Sequence, residues 1–284
     1  MKAQDTQLHL FCGNLSLDLS RPVIMGILNL TPDSFYDGGK YNSIENALLQ
    51  VQKMVAEGAK IIDIGAVSTR PGAQQISADE EWSRMNAIIP LLKTNFPETI
   101  LSVDTYRSEI AKKAIGAGAH IVNDISGGTM DDKMFETIAE LNVPYVLMHI
   151  KGTPETMQKN PVYENVVVEV KQFFEERIAK LKAFGVKQII LDPGFGFGKT
   201  LEHNYQLLNS LEVFTGMNFP VLAGLSRKSM ITKLYGGEKK ESLVGTIEVN
   251  KIALEKGAKI LRVHDVKEGM EIITDYQLPI KKQD

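Results

Sequence analysis

Asp104, Asn123 and Asp192 each stand at the end of a short apolar run. A carboxylate buried among such residues is costly unless something answers it, and it accepts two parallel hydrogen bonds from a planar N–C–N edge. The three acceptors therefore suit a flat, donor-rich heterocycle, and Lys228 in SRKS (226–229) is available for a ring carbonyl. Arg262 and His264 lie two apart in another apolar run. On a strand they share a face, which makes a cationic pair for a phosphate or diphosphate. Asn29 ends the first apolar run and offers an oxygen for a hard cation such as Mg2+, which keeps several waters and binds through substrate phosphates. Phe197 lies in the glycine-dense stretch DPGFGFGKT (192–200), where small residues let a ligand approach and the ring could stack on it. That stretch is no phosphate-binding P-loop, because Pro193 stands where a glycine is required, and Lys199 likewise breaks a dinucleotide fingerprint.

These residues need a frame that gathers them. Eight apolar runs recur along the chain, at 22–29, 60–65, 99–104, 120–125, 144–149, 188–194, 220–224 and 259–264. Their unbroken Val/Ile/Leu character predicts strands buried on both faces of a parallel sheet. Stretches at 43–57, 78–93, 107–117, 163–184 and 241–256 carry apolar residues at helical spacing, and EGAK, GAGAH and KGAK supply glycine stops. Eight strand–loop–helix units in this length predict an α/β fold, a single-domain (β/α)8 TIM barrel over residues 22–284. Residues 1–21 are expected to form an extension closing the barrel bottom. In such a barrel chemistry sits at the C-terminal strand ends. The ends here are polar: Asn29, Asp63, Asp104, Asn123, His149, Asp192, then SRKS and the Arg262/His264 pair. They are expected to face one mouth, with the eighth run beside the first. The loops 31–42 and 68–77 are long and rich in turn residues, and are expected to act as lids.

Composition narrows the classes. In a chain of 284 residues, 43% apolar and 24% charged, a core large enough to stand without staples is expected. A net charge of -3 gives no reason to expect nucleic-acid or membrane binding, so an anion needs a local site. The single cysteine, Cys12, has no partner for a disulfide or zinc site and is expected to be a small buried hydrophobe. No apolar run reaches the length of a membrane span, and the polar start lacks a signal-peptide pattern, so a cytoplasmic location is expected.

The segments MGILNLTPDSFYDGG, DIGAVSTRPG, SVDTYRSEIAKKAIGAGAHIVNDISGG, LMHIKGTPETMQ, LDPGFGFGKT, LAGLSRKSM and RVHDV, in this order, resemble the dihydropteroate synthase family, the folate-pathway target of sulfonamides. The resemblance spans residues 22–266, and Ala66-Val67 departs from the Gly-Glu of many members. It implies condensation of (7,8-dihydropterin-6-yl)methyl diphosphate with 4-aminobenzoate to 7,8-dihydropteroate and diphosphate, with Mg2+ on Asn29. By the same resemblance Arg262 and His264 hold the diphosphate, and Asp104, Asn123, Asp192 and Lys228 the pterin. Thr69, Arg70, Pro71, Phe197, Lys228 and Ser229 surround the aminobenzoate, and Met148 belongs to the substrate-binding set. Catalysis falls to Arg262, His264, Lys228 and Asp104, and a homodimer is implied. Two alternatives are a pterin-binding methyltransferase domain, which would not need STRPG or RVH, and a non-catalytic pterin-binding paralogue, which would have lost a diphosphate or lid residue.

Overall fold

The computed structural model of the chain describes residues 8–30, 39–68, 75–235 and 238–277. An antiparallel hairpin, β1 (His9–Cys12) and β2 (Leu15–Asp18), precedes eight parallel strands: β3 (Val23–Asn29), β4 (Ile61–Gly65), β5 (Ile100–Asp104), β6 (Ile121–Asp124), β7 (Tyr145–Met148), β8 (Ile189–Asp192), β9 (Leu222–Ala223) and β10 (Ile260–Val263). Their order in the sheet is β8-β7-β6-β5-β4-β3-β10-β9. A single parallel bridge between Leu191 and Val221 joins the two ends, so the barrel is nearly closed and β10 pairs with β3. The seventh run yields only two paired residues, the shortest strand of the barrel.

Helices α1 (Gly39–Ala56), α4 (Ser108–Ala117), α6 (Val166–Ala183) and α10 (Lys239–Glu255) form where helical spacing predicts them. The 78–93 stretch is two helices, α2 (Ala78–Met85) and α3 (Ile88–Asn95). Pro90 lacks an N–H, so it fits the first turn of α3 but would break one continuous helix. Helices α5 (Met134–Leu141), α7 (Leu201–Asn209), α8 (Glu212–Thr215), α9 (Ser229–Tyr235) and α11 (Val266–Gln277) lie outside the stretches expected from the sequence. Starts are capped locally: Asn165 Oδ1 accepts from the amides of Val167 and Val168, and Thr200 and His203 form a reciprocal cap on α7. The glycine stops hold, with Gly58, Gly118 and Gly257 all left-handed (φ +107°, +117°, +92°).

Strand parity divides the protein into two cores. Outward residues such as Ile24, Ile62, Leu101, Val122 and Leu261 pack under the helices in the larger core. Inward residues Val23, Met25, Ile61, Ile100, Ile121, Val146, Ile190, Leu222 and Ile260 fill the lower barrel together with Leu10, Cys12, Leu17 and Leu19 of the hairpin. The hairpin is thus a plug beneath the barrel, and each such apolar side chain contributes about 1.5–3 kcal/mol of burial. Gln188 fastens it, its amide accepting from the Phe11 amide at 2.6 Å and donating to the Phe11 carbonyl at 3.1 Å. Cys12 is buried there, and burial pushes its thiol up to about 12. Among the described residues no helix is long and apolar enough to cross a membrane.

Candidate active site

Two residues above each apolar layer the same parity delivers polar side chains. From Ile61 the count reaches Asp63, from Ile121 it reaches Asn123, and from Ile190 and Ile260 it reaches Asp192 and Arg262. Asn29 and Asp104 follow the same alternation on β3 and β5. The register sets Asp104 beside Asn123 and Met148 beside Asp192 across neighbouring strands.

Arg262 joins this ring directly. Its Nε donates to Asp63 Oδ2 at 2.7 Å and its Nη2 to Asp104 Oδ2 at 2.9 Å, and Asn123 Nδ2 donates to the same Asp63 oxygen at 2.9 Å. The second Asp63 oxygen has no hydrogen-bond partner among the described residues, which leaves a buried acceptor for a ligand. Burial first, and then the Asp63 charge, raise the Asp104 carboxyl to about 7 against the opposing pull of Arg262. Burial also raises Asp192, with Lys228 opposing it, and one Asp192 oxygen accepts from the Gly194 amide at 2.8 Å. Glycines keep the mouth open. A Cβ on Gly65 would stand 3.7 Å from both Asn29 Oδ1 and Asp104 Oδ2, and one on Gly224 would stand 3.7 Å from Asp192 Oδ2.

Above the acceptors lies an apolar wall. Ile125, Met148, Ile150 and Met157 cluster, with Tyr106 and Phe197 packed on them. Lys228 spans the wall and the ring: its Nζ is 4.5 Å from the Phe197 ring centroid and donates to the Phe195 carbonyl. Burial lowers the Lys228 ammonium to about 8, despite Asp192 and Asp104. The loop carrying Lys228 is tied to the end of β10 by a forked pair from Arg227 to Asp265 at 2.9 and 2.5 Å. His264 is exposed at the rim, with Nδ1 3.1 Å from Ser226 Oγ, and Ser229 opens α9 in an exposed position.

The structure therefore brings together Asn29, Asp104, Asn123, Met148, Asp192, Phe197, Lys228 and Arg262, with His264 and Ser229 at the rim. His149 is a correction: in YVLM, Val146 and Met148 point inward, so His149 points out. It is buried instead beneath the helices, against Phe173 and Lys199. Thr69, Arg70 and Pro71, and most of both expected lids, lie outside the described residues. Asp63, expected at the mouth but assigned no ligand, is a full member of the ring, and Ile125 and Tyr106 complete the wall. Counting by two from Ile61 and Asn123 finds Asp63 and Ile125, whereas Tyr106 sits beyond a strand and carries no such signal.

Residues 25–264 match the family described as pterin binding enzyme. The dihydropteroate synthase of Escherichia coli (strain K12) is 46% identical over 264 residues, 92% of this chain and 93% of that protein. The chain belongs to the dihydropteroate synthase family. A Yersinia pestis dihydropteroate synthase solved as a sulfonamide drug complex is similar over 94% of this chain and 97% of that one, with TM-score 0.88 and 42% identity. The Xanthomonas albilineans dihydropteroate synthase solved with 4-aminobenzoic acid gives TM-score 0.89 and 39% identity over 96% of this chain and 99% of that one. Among dihydropteroate synthases this chain thus shares the barrel along nearly its whole length.

Proposed function

We propose that this chain condenses (7,8-dihydropterin-6-yl)methyl diphosphate with 4-aminobenzoate, releasing 7,8-dihydropteroate and diphosphate. The observation that carries the reading is the inward ring of Asp63, Asp104, Asn123 and Asp192 beneath the Phe197–Lys228 wall, in a chain matched to the family over 92% of its length. Asp104, Asn123 and Asp192 take the pterin donors, and Asp63 holds Asn123 and Arg262 in place through its Oδ2. Lys228, bridging wall and ring, orients the pterin carbonyl and, with Phe197, Ser229 and the residues Thr69, Arg70 and Pro71, bounds the aminobenzoate. Met148 forms the floor between the two halves. Arg262 and His264 favour departure of the diphosphate, and the electron-rich pterin spreads the positive charge left on its methylene carbon. The neutral arylamine then attacks that carbon, and the released proton passes to diphosphate. The loops 31–42 and 68–77 exclude water that would otherwise capture the carbon.

Asn29 would hold a Mg2+ through its amide oxygen, which, like Asp104 Oδ2, lies 3.7 Å from where a Cβ on Gly65 would stand, and a neutral oxygen suits this hard ion. Held there, the ion would supply charge to stabilise the leaving diphosphate. A homodimer belongs to the proposal on the family resemblance alone, and a cytoplasmic location on the lack of a long apolar run in the sequence. The test is product formation from the two substrates with Mg2+, with diphosphate released one for one. Pterin binding without product would favour the non-catalytic reading, and methyl transfer to a corrinoid the methyltransferase.

A further inference from the structure

Lys199, which spoils the dinucleotide fingerprint in the sequence, is one of the most enclosed amines among the described residues, only 3% exposed. Burial first, and then Lys228, lower its ammonium well below the ordinary range, with Asp192 opposing, while the acceptors gathered around Nζ favour the protonated form. Its Nζ donates to the carbonyls of Gly194 and Phe197, both at 2.9 Å, and of His149 at 3.3 Å, and lies 2.9 Å from His149 Nδ1. None of these partners is a carboxylate. Burial and the nearby Lys199 and Lys151 charges hold the His149 ring well below its ordinary range, so it is neutral and its Nδ1 accepts. Three carbonyls converging on one ammonium resemble the way backbone oxygens replace the hydration shell of a monovalent cation.

The convergence has a conformational cause. Within five residues Gly194, Gly196 and Gly198 are left-handed (φ +69°, +80°, +62°), and the turn lies flat on the 149–151 segment. A Cβ at Gly194 would stand 1.9 Å from the His149 carbonyl oxygen, and one at Gly198 2.5 Å from that of Lys151. Carbonyl dipoles aimed at one point repel one another unless a positive charge stands there. The same turn presents Phe197 to Lys228 and offers Lys228 the Phe195 carbonyl. Outer tethers hold its path independently: Gln158 donates to the Gly196 carbonyl at 2.7 Å, Tyr163 to that of Gly198 at 2.8 Å, and the Gly196 amide to Asn204 at 2.7 Å. Loss of the inner charge should then shift the turn by small amounts and leave the strand-borne acceptors Asp104 and Asn123 in place.

We propose that Lys199 is a positioning residue, a tethered cation whose place among three carbonyls sets the Phe197 turn and with it the aminobenzoate half of the site. The inference rests on the synthase reading for its kinetic arm. Steady-state rates of Lys199→Ala with Mg2+ should show the KM for 4-aminobenzoate raised about tenfold or more, and that for the pterin diphosphate changed less than about twofold. Ethylammonium should bring the first value back toward the parent's in the variant and leave the parent unchanged, whereas bulky tetramethylammonium should do nothing. Lys199→Gln keeps N–H donors for two of the carbonyls and should give a smaller rise of the same kind. It also keeps the test alive if Lys199→Ala does not fold. Hydrogen exchange of the 193–199 peptide, faster in the variants and slowed again by ethylammonium, reads the same nest without turnover. A parent protein without synthase activity would remove the function reading and leave this arm standing. Equal rises in both KM values, unchanged KM values, or exchange indifferent to ethylammonium would overturn the role of Lys199.

Discussion

Asp104→Asn removes one charge from the Asp63–Arg262–Asp104 cluster, and it should stabilise the empty protein while disabling it for a donor-rich ring. Burial and the Asp63 charge lift the Asp104 carboxyl from 3.8 to about 7, with Arg262 opposing them. A carboxyl with a raised folded value holds its proton more tightly in the fold than in the unfolded chain. Its contribution to stability is therefore complete below 3.8 and is lost as the pH rises through about 7. At about 1.36 kcal/mol per unit, the whole span is worth up to roughly 4 kcal/mol, of which about 2–3 kcal/mol is lost between pH 5 and pH 8. Asparagine carries no such dependence. Asparagine keeps an amide oxygen able to accept from Arg262 Nη2, and the extra attraction of the charged carboxylate to Arg262 is already contained in the value of about 7. With about 2 °C or more of Tm per kcal/mol, the difference in Tm between variant and parent should move by roughly 5 °C in the variant's favour from pH 5 to pH 8. Thermal denaturation of both proteins without ligand reads it. A variant that loses the same Tm at both pH values would refute the reasoning, because desolvation of Asp104 would then not govern the cluster.

Arg262→Ala strips both Asp63 and Asp104 of their shared counter-ion, so it should lower Tm more at pH 8 than at pH 5, and equal losses in melting curves would count against the shared role. It should also weaken the diphosphate ligand more than a pterin analogue without phosphates, as titration calorimetry would show. Asp192→Asn turns an acceptor into a donor facing the pterin's own donors, and calorimetry should find about 2–4 kcal/mol less pterin affinity. 4-Aminobenzoate should bind weakly to the free protein and gain about 1–3 kcal/mol on adding diphosphate, because anionic oxygens give the 31–42 and 68–77 loops the contacts their polar composition lacks; equal affinity with and without diphosphate would end this expectation.

Much of the barrel and of the pterin ring is legible because one physical rule, alternation along a buried strand, governs both. Ile61 and Asp63, Ile121 and Asn123, and Ile260 and Arg262 are the same count read at two heights. His149 was misplaced for the opposite reason: a polar residue at the end of PYVLMH attracts attention, although Val146 and Met148 already fix the inward parity and send His149 outward. Contacts between distant segments left no trace in the sequence. Nothing in KIIDIG and KILRVH says that Asp63 and Arg262 meet, because that depends on barrel closure bringing β10 to β3 and β3 to β4. The role of Lys199 was equally hidden, since it depends on carbonyl directions and not on neighbouring side chains. The α2–α3 break was signalled by Pro90, though the apolar spacing runs straight through it.

The plug beneath the barrel also orders events during synthesis. Its residues leave the ribosome before those of the barrel, yet their seat is lined by Ile190, Leu222 and Ile260, and the Phe11 clasp waits for Gln188 across 177 residues. Closing so long a loop is entropically slow compared with pairing β3 to β4. The hairpin must therefore spend most of translation unseated, with Leu10, Leu17 and Leu19 in water. The Cys12 thiol shares that interval, so a nascent chain reacts with a thiol reagent that the finished fold excludes. The time at which Cys12 stops reacting marks the arrival of the last strand, which makes the single cysteine a clock for completion of the barrel.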